Sequence, residues 1–344
     1  MLAVVFHGPE DLRVENVARP TLPAGGIVVQ TRTVGICGSD VRSWHSGNHR
    51  ITGSQIFGHE NAGVVSESDV ARYPVGMNVA VCPCAPCLEC RFCMTGRQNF
   101  CQRRNCFGYQ RPGGMAEAFA VPADAIRAGC VVPVPESIPL EYAPIAEVLH
   151  SILNGQDRAR TGLMQSTLVL GLGPVGILHV ALASSRGAQP VLGVDPLAQR
   201  AEAAAHVLGS NRVLHMGPSW EQKVKDMVDG RGWDVIILAN VAPAAVDTAF
   251  SLIAPMGRII AYAGLRTDTP TVPVDWNAVH YKQIEIIGAF GGTPTYFQAA
   301  VKWLSTSDLK LDRLVTAEYP IERALEAFKA VENGVGLKTM LRLS

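Results

Sequence analysis

The chain has 344 residues, a length that predicts two domains of ordinary size. Its 30 Lys and Arg balance its 30 Asp and Glu, and this zero net charge excludes the positive surplus that nucleic-acid-binding and membrane-surface proteins need. Apolar residues make up 48% of the chain and charged residues 17%, a balance that excludes intrinsic disorder.

The first third of the chain is predicted to be rich in β-structure. Apolar and β-branched runs are separated by glycines and prolines, and helical patterns are scarce. Strands are expected at residues 27–36, 63–66, 78–81 and 117–121. A proline-rich loop between the last two contains seven of the nine cysteines.

From Glu147 onward, strand-like and helix-like runs alternate. Strands are expected at 167–170, 190–194, 212–214, 235–238 and 258–262, and helices at 174–185, 197–208, 220–228 and 242–253. This alternation predicts a parallel sheet with helices on both faces. Two helices (294–304 and 321–331) and a strand near 339–341 follow, and the pattern leaves open which domain they join.

Targeting signals are not recognisable, so a cytoplasmic location is expected. Residues 1–7 form a short apolar run without a preceding basic region, unlike a secretory signal. The longest apolar stretch, 168–183, is interrupted by glycines, a proline and His179, and it is too short to span a bilayer. Thiols stay reduced in the cytoplasm and are free to bind metal.

A glycine-rich motif lies at the first strand-to-helix turn of the alternating region. Its sequence is Gly171-Leu-Gly173-Pro174-Val175-Gly176. In such a turn the first glycine permits the tight bend, the second lets a pyrophosphate approach the backbone, and the third allows helix and strand to pack closely. The helix N-terminus favours negative charge. These residues are therefore expected to bind a dinucleotide.

The next predicted strand ends at Asp195, which predicts the kind of dinucleotide. An acid here, 19 residues after Gly176, can accept hydrogen bonds from both ribose hydroxyls and would repel a 2′-phosphate. NAD rather than NADP is therefore expected. Arg200 on the following helix could stack on adenine, grip a phosphate, or be a solvated surface residue.

The cysteine cluster predicts a closed metal site. Cys87, Cys90 and Cys93 are separated by two consecutive C-x2-C steps, and Cys101 returns after a short loop. Four thiolates at tetrahedral corners saturate a zinc ion and leave no open position, so the site is expected to be structural.

More cysteines are present than this site needs. Cys84 could enter the set, and Cys106 could replace Cys101. A disulfide is disfavoured in a reducing compartment. Cys82 and Cys130, like Cys84 and Cys106, receive no assigned role.

Further motifs carry a family resemblance. Cys37 lies in Gly-Ile-Cys-Gly-Ser-Asp after a predicted strand, and His59 and Glu60 lie in Phe-Gly-His-Glu before another. With them occur the C-x2-C-x2-C-x7-C cluster, the pair Gly113-Gly114 before Ala116-Glu117, the glycine-rich turn and Asp195. In this order, over nearly the whole chain, they resemble the zinc-dependent medium-chain alcohol dehydrogenases of the sorbitol/polyol dehydrogenase branch.

The resemblance implies an α/β fold with two domains. A GroES-like, β-rich catalytic domain would comprise residues 1–147 and 288–344 and contain both zinc sites. A Rossmann domain, with its doubly wound parallel sheet, would comprise residues 148–287 and bind NAD. The C-terminal segment would thus return to the catalytic domain.

The resemblance also implies a catalytic zinc, in addition to the structural one. Cys37, His59 and Glu147 would be its ligands, and Glu60 would lie directly behind the metal or exchange with water as a ligand. A site with three protein ligands keeps a fourth position open for substrate. The zinc would lower the pKa of a bound alcohol so that an alkoxide forms near neutral pH. Ser39 would relay the proton, and hydride would pass to NAD.

Two departures from the family pattern bear on the substrate. Arg42 stands where many relatives have a relay histidine, and an arginine stays charged and cannot shuttle a proton. The relay would then end at water, or His45 or His49 would replace it. Val148 stands where a proline is usual, and the nearby His150 could be a second-sphere group, a substrate contact, a competing ligand or an ordinary helix residue.

The substrate is expected to be an alcohol or polyol with a secondary CH–OH group. The alternatives are a sugar phosphate, an amino alcohol or a biosynthetic intermediate. Arg42 and Arg111 would suit an anionic group, although surface charge explains them more simply. A non-catalytic binding protein is disfavoured because Cys37, His59, Ser39 and Asp195 are all retained. A homo-oligomer, tetramer or dimer, is expected by resemblance, with the run 284–288 as candidate interface or as an interior strand.

Overall fold

The computed structural model describes residues 1–240, 242–265 and 270–343 and divides the chain into two units. Met1–His150 together with Gly292–Ser344 form the first unit, and Ser151–Gly291 form the second. These limits lie three and four residues beyond the expected boundaries at 147/148 and 287/288. The C-terminal segment belongs to the first unit.

The N-terminal part of the first unit consists mainly of short strands, as predicted. The strands are β1 (Leu2–Gly8), β2 (Asp11–Asn16), β3 (Ile27–Gly35), β4 (Gln55–Ile56), β5 (Glu60–Ser68), β6 (Asn78–Val81), β7 (Cys84–Ala85), β8 (Asn105–Cys106), β9 (Ala118–Val121) and β10 (Val131–Pro133). The helices are α1 (Gly38–Ser46), α2 (Arg91–Met94), α3 (Ala123–Arg127) and α4 (Ile145–Arg158), whose residues after His150 belong to the second unit. The cysteine-rich segment thus contains short regular elements rather than a loop alone.

The second unit alternates strands and helices, as predicted. Its elements are β11 (Thr167–Leu170), α5 (Pro174–Ser185), β12 (Val191–Asp195), α6 (Ala198–Leu208), β13 (Val213–His215), α7 (Trp220–Asp226), β14 (Trp233–Leu238), α8 (Pro243–Leu252), β15 (Ile253–Ala261), α9 (Trp276–Lys282) and β16 (Glu285–Gly288). The strands form a parallel sheet in the order β13-β12-β11-β14-β15-β16. This doubly wound order is that of a Rossmann domain, so the predicted fold class is confirmed.

The C-terminal segment supplies two strands to the main sheet of the first unit. Its elements are α10 (Pro294–Thr306), α11 (Leu311–Leu314), β17 (Val315–Pro320), α12 (Ala324–Glu332) and β18 (Lys338–Arg342). The main sheet has the order β10-β6-β5-β3-β18-β17, and β9 also pairs with β3. β18 pairs antiparallel with β3, so that Met340 lies opposite Gly35. One hydrophobic cluster joins Trp44, Phe57 and Phe328 beneath this sheet.

The longest apolar stretch of the sequence forms two short elements rather than one long helix. It comprises β11, the glycine-rich turn and most of α5. Seven of the twelve residues of α5 are buried, which places this helix in the interior of the second unit. Across the part of the chain that the structure describes, no helix has both the length and the apolarity needed to cross a membrane.

Candidate active site and metal centres

The pairing of β3 with β5 brings three candidate metal ligands together. Gly35 at the end of β3 lies opposite Glu60 at the start of β5. Cys37 follows β3 and His59 precedes β5, so both side chains lie at the same edge. The ligand atoms of Cys37, His59 and Glu60 are all within 4.8 Å of one another. Sulfur, imidazole nitrogen and carboxylate oxygen form a donor set that suits zinc.

Asp40 in the first turn of α1 holds the backbone of Cys37 and the side chain of His59, a role that the sequence did not predict. The backbone N–H of Cys37 donates to Asp40 Oδ2 at 3.0 Å, and His59 Nδ1 lies 3.0 Å from Asp40 Oδ1. A proton held between Nδ1 and the carboxylate leaves Nε2 available to a metal. Burial opposes the charge on His59, but Asp40, together with Tyr109 and Cys37, raises the pKa of the imidazole well above its usual value.

Glu60 is paired with Lys338, another residue that the sequence reading missed. Both side chains are buried, and Lys338 Nζ contacts Glu60 Oε2. The ammonium also donates to the carbonyl oxygen of Ile36 at 3.0 Å. Burial lowers the pKa of Lys338, but the nearby Glu60 charge more than compensates and raises it overall. A lysine from β18 thus fixes a carboxylate of the candidate metal centre.

Glu147, the expected third ligand, lies close to this group but outside it. Its side chain is 15% exposed and sits in the first turn of α4. Burial raises the pKa of Glu147 to about 7, with His59 opposing the rise and Glu60 adding to it. In the structure, Glu60 rather than Glu147 completes the close group with Cys37 and His59.

His150 is turned towards Glu147. Its Nδ1 contacts the carbonyl oxygen of Glu147 and lies 3.9 Å from the Glu147 carboxylate. The ring packs against Phe297 with a centroid distance of 5.9 Å. Burial lowers the pKa of His150 to about 4, so the imidazole is neutral at physiological pH. His150 therefore supports Glu147 from within α4.

Ser39 contacts a tyrosine that the sequence reading did not single out. Ser39 Oγ and Tyr109 Oη are 3.3 Å apart. The N–H of Tyr109 donates to Cys106 O at 3.2 Å, and its carbonyl accepts from Gln55 Nε2 at 3.0 Å. These two bonds fix the ring beside Ser39. Tyr109 could not be recognised from the sequence as a site residue, because it lies in a loop and belongs to no motif.

His45 does not take the place of the missing relay histidine. Its Nδ1 lies 2.6 Å from Glu10 and its Nε2 lies 2.9 Å from Glu332, so both ring nitrogens are engaged with carboxylates. His49 is exposed. Within the described residues, Tyr109 is the hydroxyl group that the structure places next to Ser39.

The four cysteines predicted to form a structural site converge. Their sulfurs are within 4.8 Å of one another, with 3.5 Å between Cys90 and Cys93 and 3.9 Å between Cys87 and Cys93. Tetrahedral zinc–thiolate bonds imply sulfur separations of about 3.8 Å. The backbone N–H of Glu89 lowers the pKa of the Cys87 thiol and burial raises it, and the overall effect lowers this pKa to about 6. The donor set therefore fits a closed zinc site.

The alternative ligands are occupied elsewhere. Cys84 and Cys106 face each other across β7 and β8 and form a disulfide. The expectation that disulfides are absent from this region is therefore wrong for this pair, since adjacent positions on antiparallel strands bring the two sulfurs together. Cys82 and Cys130 are free and buried. None of these four belongs to either group of converging metal-ligating side chains.

The glycine-rich turn has the packing that its sequence predicts. Gly171 adopts a φ of +103°, a conformation that favours glycine. A Cβ on Gly176 would lie 1.8 Å from the carbonyl oxygen of Gly171, whereas a Cβ on Gly173 would meet nothing within 4 Å. The open space at Gly173, just before Pro174 and Val175 begin α5, leaves room for a phosphate at the helix N-terminus.

Asp195 is deeply buried. Its side chain is 2% exposed, and its two oxygens accept from the N–H groups of Leu172 at 2.8 Å and Leu197 at 2.9 Å. Arg200 lies 4.0 Å from the same carboxylate. Each oxygen of an ionised carboxylate has a further lone pair. Asp195 therefore orders the glycine-rich turn and retains the capacity to accept another hydrogen bond.

Comparisons with known proteins agree with this arrangement. Residues 23–136 match the alcohol dehydrogenase GroES-like domain, and residues 174–306 match the zinc-binding dehydrogenase family. The erythritol/L-threitol dehydrogenase of Mycolicibacterium smegmatis is 31% identical, over 97% of this chain and 95% of that protein. Human sorbitol dehydrogenase is 30% identical, over 99% of this chain and 95% of that protein.

A solved structure supports the fold. An alcohol dehydrogenase from Thermotoga maritima matches with a TM-score of 0.90 at 22% identity, covering 100% of this chain and 99% of that one. The chain belongs to the zinc-dependent medium-chain alcohol dehydrogenases. Within that family it lies in the branch similar to sorbitol and other polyol dehydrogenases, and it is an oxidoreductase that uses zinc and NAD.

Proposed function

We propose that this enzyme oxidises a secondary alcohol of a polyol, or reduces the corresponding ketone, at the edge formed by β3 and β5. The observation that carries the proposal is the convergence of Cys37, His59 and Glu60 within 4.8 Å. The names of the most similar relatives, which include erythritol, threitol and sorbitol dehydrogenases, support a polyol as substrate.

Cys37, His59 and a carboxylate would hold the catalytic zinc. The carboxylate is Glu60 in the arrangement seen here, and Glu147, the ligand that the resemblance implies, is the alternative. When bound, zinc acts as a Lewis acid that makes an alcohol easier to deprotonate. Asp40 keeps Cys37 and His59 in position, and Lys338 balances the charge of Glu60. Cys87, Cys90, Cys93 and Cys101 would hold a second, structural zinc.

Ser39 and Tyr109 would carry the alcohol proton away from the site. The two hydroxyl groups are 3.3 Å apart, and each can both donate and accept a hydrogen bond. Burial raises the pKa of Tyr109, which keeps the phenol protonated. Tyr109 can therefore receive a proton from Ser39 only while its own proton passes to water, where the relay would end.

NAD would bind at the glycine-rich turn of the second unit. Its pyrophosphate would lie against Gly171, Gly173 and Gly176, at the N-terminus of α5 that begins with Pro174 and Val175. Asp195 would accept from the adenosine ribose, and Arg200 would lie beside the adenine. In this proposal the second unit is the cofactor domain, and the first unit is the catalytic domain.

We also propose that the enzyme is a homo-oligomer, a dimer or tetramer. β16 is the edge strand of its sheet, and Ile286 on that strand is 48% exposed. An uncovered strand edge with an apolar side chain can pair with a second copy. Sedimentation of the protein and of Ile286→Lys tests this: a single-chain mass for the unaltered protein would overturn it.

A cytoplasmic location is part of the same proposal. The structure has seven free cysteines, four of which converge as thiolate ligands. A reducing compartment keeps such thiols free, and in it the Cys84–Cys106 pair would be in its reduced form. Cell fractionation with an antibody to the chain tests the location, and recovery outside the cytoplasm would overturn it.

The activity is tested by following NADH absorbance while polyols of four to six carbons are supplied. Oxidation of at least one is expected, and Ser39→Ala should lower kcat by about two orders of magnitude. Tyr109→Phe removes only the hydroxyl and should lower kcat with little effect on stability. No turnover with any polyol, or an unchanged rate in Ser39→Ala, would contradict the proposal.

A further inference from the structure

Arg50 places a positive charge directly beside the Ser39–Tyr109 pair. Its guanidinium carbon lies 3.8 Å from the centroid of the Tyr109 ring, and the hydroxyl of that ring is 3.3 Å from Ser39 Oγ. The phenol ring of Tyr109 therefore has the guanidinium group of Arg50 over its face and Ser39 at its hydroxyl. Sequence reasoning gave Arg50 no role.

Hydrogen bonds in the turn after α1 fix the backbone position of Arg50. Its backbone N–H donates to Asn48 Oδ1 at 3.1 Å, and Asn48 Nδ2 in turn donates to Ser43 Oγ on α1 at 3.1 Å. Arg50 is half-buried. The turn after α1 thus places Arg50 over the ring of Tyr109, a residue whose backbone N–H and carbonyl are both hydrogen-bonded.

Arg50 has no acidic partner among the residues that the structure describes. The acid on α1, Asp40, is engaged with Cys37 and His59. Arg111 and Arg42, which the sequence suggested as ligands for an anion, are in different environments from Arg50. Arg111 is bound to Asp124 at 2.7 Å, and Arg42 is exposed on α1.

We propose that Arg50 binds an oxyanion at one end of the substrate while the reacting CH–OH group lies at Ser39. This inference rests on the proposed function and narrows it: the substrate is an anionic polyol that carries a carboxylate or a phosphate. A guanidinium can stack its face on Tyr109 and still present the N–H groups of its edge to an oxyanion.

The test compares three substrates of equal carbon number: a neutral polyol, the corresponding aldonate and the polyol phosphate. At least one anion is expected to have a higher kcat/KM than the neutral polyol, and the better anion identifies the group. Arg50→Gln should lower kcat/KM for that anion by about 10- to 100-fold, mainly through KM. Its effect on kcat/KM for the neutral polyol should be smaller than its effect on kcat/KM for the anion, because the neutral polyol has no oxyanion for Arg50 to bind.

Arg72 offers a matched control, because its guanidinium stacks on Tyr73 at 4.6 Å in a region with no proposed ligand. Arg72→Gln removes the same charge from the same kind of contact and should leave all three substrates unaffected. Arg50→Lys keeps the charge without the planar fork and should retain part of the preference for the anion.

A binding measurement separates failure of this inference from failure of the proposed function. The better anion should raise the melting temperature of the protein and of Arg72→Gln, but not that of Arg50→Gln. If the neutral polyol is the best substrate, or if Arg50→Gln affects all substrates equally, the anion site is overturned and the proposed function stands. If no substrate is oxidised, the proposed function fails, and an equal thermal shift in all variants overturns the anion site as well.

Discussion

Glu60 and Lys338 form a buried ion pair between the first residue of β5 and the first residue of β18. The lysine comes from the C-terminal segment and reaches a carboxylate that belongs to the close group with Cys37 and His59. The return of the chain to the first unit therefore supplies a charge to the site as well as a strand to the sheet.

Replacing Lys338 should be strongly destabilising. Lys338→Met leaves the Glu60 carboxylate buried without its cation, and breaking a buried pair in this way lowers the free energy of unfolding by about 3–5 kcal/mol. Chemical denaturation measures the change. Arg342→Met is the control on the same strand: its pair with Glu318 is partly exposed and should contribute at most about 1 kcal/mol. Equal losses in both variants would contradict the interpretation.

The two proposed zinc sites should be separable by mutation. Cys101→Ser should remove one zinc ion per chain and lower the melting temperature, because structural zinc contributes directly to folding. Cys37→Ser should remove the other ion and the activity, with a smaller loss of stability. Elemental analysis and thermal unfolding measure both effects. Cys130→Ser, outside both groups, should keep both ions, and unchanged zinc in Cys101→Ser would argue against the structural site.

The glycine-rich turn allows a paired test of packing and binding. Gly176→Ala puts a methyl group 1.8 Å from the Gly171 carbonyl oxygen, so the protein should lose about 1–3 kcal/mol of stability from overpacking. Gly173→Ala meets no protein atom within 4 Å and should fold normally but bind NAD more weakly. Thermal unfolding and NADH titration distinguish the two. Normal NAD affinity in Gly173→Ala would refute the proposed phosphate position.

Cofactor preference should depend on Asp195. The unaltered enzyme should prefer NAD, because a carboxylate repels a 2′-phosphate. Asp195→Asn should reduce the ratio of kcat/KM for NAD to that for NADP by about tenfold or more. Arg200→Ala should alter both cofactors alike if Arg200 stacks on adenine, but selectively lower NADP use if it grips the phosphate. Equal use of both cofactors by the unaltered enzyme would contradict the role of Asp195.

The second unit was largely predictable because its patterns are local. β11 and α5 have the predicted bounds, since an apolar strand, a glycine turn and a proline at the first helical position mark them within a few residues. α1 was missed because Gly38 and Ser39 are poor helix formers, and its first turn instead depends on the bond from Cys37 to Asp40. The β1–β2 hairpin was also missed, although Gly8 and Pro9 punctuate it.

Site residues could be predicted from the sequence only where they belong to a short motif. Cys37, His59 and the four clustered cysteines stand in short recognisable patterns, and the structure brings them together. Lys338 lies 302 residues from Ile36, whose carbonyl it contacts, and no local pattern expresses such a pairing. Tyr109 and Arg50 likewise meet through tertiary contact alone. Glu147 was expected in the close group, but β5 already supplies the nearer carboxylate.

Asp40 contacts both Cys37 and His59 from the first turn of α1. The folding of that turn and the geometry of the metal ligands therefore depend on each other. If the first turn of α1 opens, the hold on Cys37 and on the orientation of His59 is lost in the same event. Amide exchange in that turn would then report the lifetime of the metal centre. Binding of a metal to Cys37 and His59 would slow the exchange by stabilising the closed turn.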